Sequence, residues 1–136
     1  MNTSKQKGYM LLFRGNDWHK GLSPEAMQQV GSQWMAWFER LTREGKAVAG
    51  NPLENEAKIV SGRNGRVISD GPFAESKEVI GGYFLLNVSS FDEAVAIAQE
   101  CPGLPHGVRV EVRAVADDCR LLEQARAEAA SAMATA

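Results

Sequence analysis

Two stretches of the chain, Tyr9-Met10-Leu11-Leu12-Phe13 and Tyr83-Phe84-Leu85-Leu86, are apolar at every position. Runs of this length read as strands covered on both faces, because successive side chains of a strand point to opposite sides. The remaining hydrophobic pattern is one-sided. Met27, Val30, Trp34, Trp37 or Phe38, and Leu41 recur at three- and four-residue steps, which predicts a helix with one apolar stripe. Ser23 is placed to cap it, Pro24 suits its first turn, Glu25 complements the dipole, and Gly45 ends it. A second helix follows Ser90 and Glu93, which have capping-box spacing, with Phe91, Ala94, Val95 and Ala98 on one face; Pro102, Gly103 and Pro105 stop it. Val108, Val110 and Val112 alternate with Arg109, Glu111 and Arg113, a strand with one apolar and one fully charged face.

Between the first helix and the strand at Tyr83, Val48 and Ala49 suggest a short strand, and Gly50-Asn51-Pro52 reads as a turn. Lys58-Ile59-Val60 and Arg66-Val67-Ile68 flank Asn64-Gly65, a hairpin signal. From Asp117 an alanine-rich tail with Leu121, Leu122 and Ala125 in a stripe predicts a last helix. The order strand, helix, several strands, helix, strand fits an α+β ferredoxin-like sandwich with helices on one face of an antiparallel sheet, plus a C-terminal accessory helix. That leaves a question about the other face. Two helices cover one side only, yet the central strands are apolar on both, so either a second subunit or the C-terminal helix must cover the rest. The first solution makes the protein a homodimer.

Composition narrows the function classes. The 136 residues suit one folded unit, which divides into a domain over residues 9–115 and a helical extension over 116–136. A net charge of -2 supplies no basic footprint for direct nucleic-acid binding. No apolar run is long enough for a membrane span, and residues 1 to 8 lack the apolar core of a signal peptide, so a cytoplasmic location is expected. Cys101 and Cys119 have neither metal nor redox spacing, and no metal, phosphate-loop or triad pattern calls for a cofactor.

The densest chemistry lies in Asp70-Gly71-Pro72-Phe73-Ala74-Glu75-Ser76-Lys77-Glu78, where a turn-forming Asp-Gly-Pro, an aromatic and four charged groups share nine residues. Asp70 can cap its turn through its carboxylate, or serve as an acid or base. If Val108, Val110 and Val112 face the helices, Arg109, Glu111 and Arg113 face the opposite side, where the dimer cavity would be, and Asp70 and Glu75 are candidate partners for Arg113 and Lys77. An arginine left over would hold a small anionic ligand through paired hydrogen bonds. His106, just before that strand, titrates near neutrality and is the second acid-base candidate. The site read from the sequence is therefore Asp70 and His106 for catalysis and Glu75, Lys77, Glu111 and Arg113 for ligand binding. A register-fixing network of ion pairs and a solvated rim are the structural readings of the same residues.

Taken together, Tyr9-Met10-Leu11-Leu12, the helix through Trp37-Phe38-Glu39-Arg40-Leu41, the nine-residue motif from Asp70, Gly81-Gly82-Tyr83, Cys101-Pro102 and Val110-Glu111-Val112-Arg113 resemble the YCII-related proteins, specifically their DGPF subgroup. The resemblance implies a dimeric α+β barrel, two ferredoxin-like units packed sheet against sheet. It implies little about activity, since most members have no assigned reaction. Many in the subgroup are associated with extracytoplasmic-function sigma factors, which makes a sigma factor a candidate partner and a non-catalytic regulator the alternative function. Elsewhere in the family, a His/Asp pair has been proposed as an acid-base site, with the His on the first helix and the Asp before a Pro after the second. Here the first helix has Gln33-Trp34-Met35-Ala36-Trp37, and Cys101 precedes Pro102, so that pair does not transfer.

Overall fold

The computed structural model describes residues 8–15, 18–71, 79–117 and 119–134. Within them run β1 (Gly8–Arg14), α1 (Pro24–Arg43), β2 (Ala47–Pro52), β3 (Ala57–Ser61), β4 (Val67–Gly71), β5 (Ile80–Asn87), α2 (Phe91–Ala98), β6 (Arg109–Val115) and α3 (Arg120–Ala134). Four strands form an antiparallel sheet in the order β2-β5-β1-β6. That order is two interleaved split β-α-β units, the ferredoxin-like arrangement, with the β3–β4 hairpin inserted between β2 and β5.

The helix side of the sheet holds the core. On β1 the buried residues alternate, and Tyr9, Leu11 and Phe13 meet Phe84 and Leu86 of β5, Trp37 and Leu41 of α1, and Ala94, Ile97 and Ala98 of α2. Leu11, Leu41 and Leu86 are wholly buried, each contributing about 1.5–3 kcal/mol from lost apolar exposure. The helices begin as their sequences dictate. Ser23 Oγ accepts from Ala26 N–H at 3.1 Å and Ser90 Oγ from Glu93 N–H at 3.1 Å, so each cap satisfies a donor the helix cannot. Gly45 takes a positive φ of 75° as α1 ends, and Lys46 N–H then donates to Leu41 carbonyl at 2.8 Å. Trp37 Nε1 and Arg40 Nη2 both donate to Glu100 Oε1, at 3.2 and 2.6 Å, and fasten α1 to the turn beyond α2.

Several local expectations are corrected. Gly50-Asn51-Pro52 continues β2 instead of turning. Gly50 is needed for packing, since a β-carbon there would stand 2.7 Å from Phe84 Cδ1 and 2.8 Å from Phe38 Cε1. Pro52 is tolerated because β2 is an edge strand, where one missing donor costs no ladder bond. In α2 the buried residues are Ala94, Ile97 and Ala98, while Phe91 and Val95 stay exposed. Phe91 sets its ring edge-on to Tyr9, at 5.0 Å between centroids. The last helix, α3, buries no residue, so it does not cover the sheet's second face.

Candidate functional site

The second face of the sheet is set by register. Because Tyr9, Leu11 and Phe13 point at the helices, Met10, Leu12 and Arg14 point away from them. Leu12 lies opposite Tyr83 on one side and Glu111 on the other; Met10 lies between Leu85 and Arg113; Arg14 lies between Ile80 and Arg109. Apolar side chains thus occupy the centre of this face, and charges line the β6 edge. Val110 and Val112 pack against the core on the opposite side, as their alternation with the charged residues predicts.

At that edge Arg14 Nε donates to Glu111 Oε1 at 2.7 Å, with Nη2 at 2.5 Å from the same oxygen. Arg113 Nη1 reaches the other carboxylate oxygen, Oε2, at 3.4 Å. The hydrogen bond from Arg14 holds the Glu111 carboxyl below the usual carboxylate range; partial burial opposes it, and the positive charges of both arginines reinforce it. Glu111 is therefore an anchored anion. Arg113 spends one donor on it and keeps most of its guanidinium in solvent, in a form suited to a second, paired contact with an anion.

Of the other expected site residues, Asp70 and His106 lie elsewhere. Asp70 is a strand residue of β4 and not a turn cap: it lies in register with Lys58, whose Nζ is 2.5 Å from Asp70 Oδ1. With the Asp70 side chain 87% exposed, such a pair is worth little. Among the described residues, then, Arg113 pairs with Glu111 and Asp70 with Lys58. Glu75 and Lys77 lie outside the described residues. His106 ends a short 3-10 turn, Leu104–His106, with its ring 6.2 Å from that of Trp18. Trp18 in turn lies 5.6 Å from the His19 ring and 6.0 Å from Trp34. Trp18, His19, Glu54 and Glu56 help line a cleft of about 430 Å³ where β1 ends and the β3–β4 hairpin begins.

Arg14 is the residue that inspection of the sequence missed. Its signal was present: it continues the parity of Met10 and Leu12, and pairing β1 with β6 puts it diagonally beside Glu111. Cys101 is buried, which pushes its thiol up to about 11 and makes it a poor nucleophile at neutral pH. Among the described residues no group of three or more His, Cys, Asp or Glu side chains could hold a metal ion. Among them, too, no helix is long and apolar enough to cross a membrane.

A family model, the YCII-related domain, matches residues 8–120. The chain belongs to this family. No curated protein matches the sequence. Among solved structures the YCII-related chain is similar to 5-chloro-2-hydroxyhydroquinone dehydrochlorinase from Burkholderia phenoliruptrix AC1100, in complex with 2,5-dihydroxybenzoquinone. Identity is 17%, covering 77% of this chain and 90% of that one, with a TM-score of 0.43. At that score the likeness adds nothing to the fold already read from the strand order.

Proposed function

We propose that this YCII-related protein is a cytoplasmic homodimer whose two sheets close over one another as an α+β barrel, and that it binds a small anionic ligand beside Arg113. The observation that carries the reading is the face shared by Met10, Leu12, Tyr83 and Leu85, which no helix of the described chain covers and which ends in the Arg14–Glu111–Arg113 cluster. An apolar sheet face of this kind is stable in water when a second copy removes it from solvent, and a two-fold axis supplies the same face twice. Closure would also draw the cluster out of water, where an anion held by a guanidinium gains strength.

Acid-base chemistry is a further step in this reading. Among the described residues Asp70 pairs with Lys58 and His106 lies against Trp18, so in this reading either acts at the cluster by being delivered from the partner copy. Sedimentation velocity and anion titration test the reading. The wild type should sediment as a dimer, Leu12→Asp as a folded monomer, and Arg113→Ala as a dimer that has lost sulfate or acetate binding. A wild type that is monomeric at all concentrations, or an Arg113→Ala variant that binds both anions unchanged, would refute it.

A further inference from the structure

The β3–β4 hairpin forms a sheet of its own, apart from the main one, and among the described residues its strands pair only with each other. Val60 lies opposite Ile68, with Ile59 and Val67 on the other side of the ribbon, and all four are exposed, from 40% at Ile59 to 65% at Ile68. A two-stranded ribbon is marginal alone, and no other described strand pairs with either of its edges. The charges at its two ends say what covers it. Arg63 and Arg66 flank the tip; Glu54 and Glu56 stand at the root; and none of the four makes an ion pair among the described residues. Lys58 and Asp70, near the root, neutralise each other.

A segment that is positive at one end, negative at the other and apolar between is complementary to its own antiparallel copy. A two-fold axis brings each tip to the other root. The tip cannot satisfy its own root, because five strand residues at about 3.4 Å each hold the two ends about 17 Å apart. The root, moreover, is concave: Glu54 and Glu56 share the cleft of about 430 Å³ with Trp18 and His19. Carboxylates can take a guanidinium through paired hydrogen bonds, and the indole face adds a cation–π contact.

We infer that the β3–β4 ribbon is a dimerisation arm, and that the arginine tip of each arm docks in the Glu54–Glu56–Trp18 cleft of a second copy of this chain. The inference rests on the homodimer reading and deepens it by adding an exchanged contact outside the sheet faces.

Charge reversal tests it. The tip variant Arg63→Glu/Arg66→Glu and the root variant Glu54→Lys/Glu56→Lys alter exposed side chains, so circular dichroism and thermal unfolding should match wild type. By sedimentation at low salt, each variant alone should dimerise at least about tenfold more weakly. An equimolar mixture of the two should recover wild-type affinity as a heterodimer, because both exchanged contacts then join opposite charges. A tip variant with wild-type affinity, or a mixture no tighter than its parts, overturns the arm. Leu12→Asp separates the two ideas. If it yields monomers while the charge variants remain tight dimers, the arm falls and the sheet-face dimer stands; if the wild type never dimerises, both fall.

Discussion

Arg14 and Glu111 meet diagonally across the β1–β6 pair, Nε to Oε1 at 2.7 Å, although the residues directly opposite them are Arg109 and Leu12. The pairing turns an edge of like charges into an anchored anion between two guanidinium groups. Because Arg14 is the main cause of the lowered Glu111 pKa, the two effects are separable by mutation.

Glu111 should titrate below an ordinary glutamate in a carboxyl NMR titration, and Arg14→Met should move it back up. The sign of the linkage follows. A carboxyl with a lowered pKa in the folded state stabilises above its unfolded pKa, and that contribution fades as pH falls through the folded value. Acid unfolding of Arg14→Met should therefore begin at higher pH than that of wild type. A Glu111 that titrates normally in the wild type would contradict the geometry.

Cys101 and Cys119 should differ sharply towards a thiol reagent at pH 8. Cys119 is exposed and should react at once, whereas Cys101 is buried, its thiol pushed up to about 11, and should react only on unfolding. A thiol pKa raised by folding means stability present below the unfolded value and lost as pH rises towards 11. Two fast-reacting thiols in the native protein would contradict the burial.

Glu100→Ala should cost about 0.5–1.5 kcal/mol in urea unfolding, because it removes the acceptor shared by the Trp37 indole N–H and Arg40 in a half-exposed site. Leu41→Ala, which empties a fully buried position, should cost about 2–5 kcal/mol. An exposed ion pair such as Lys58–Asp70 should contribute less than either.

Glycine-to-alanine changes should split by position. At Gly103 a β-carbon would stand 2.6 Å from Val108 Cγ2 and 2.7 Å from Trp34 Cζ3, and overpacking of that kind costs about 1–3 kcal/mol. At Gly31, on an exposed turn of α1 with nothing within 4 Å, alanine should stabilise by about 0.5–1 kcal/mol. Equal effects at the two sites would mean that packing does not distinguish them.

Much of the architecture was legible without coordinates. Ser23 and Ser90 cap where their spacing predicts, Asn64-Gly65 lies in a hairpin tip, and Val110 and Val112 face the core. Less of the site was legible. Asp-Gly-Pro suggested a bend at Asp70, but pairing with Lys58 carries β4 through Gly71, and the expected meeting of Asp70 with Arg113 does not occur within one chain.

By itself the sequence determined what is local: where helices start, which side of each strand is apolar, and which motifs tie the chain to its family. These depend on residues a few positions apart, whose periodicity and capping chemistry are written directly in the chain. The tertiary structure alone decided which charges meet, that Gly50 serves packing and not turning, and that the β3–β4 ribbon leaves the sheet. Those outcomes depend on strand order and register, which bring together positions as distant as Arg14 and Glu111, and no local preference encodes such a pairing.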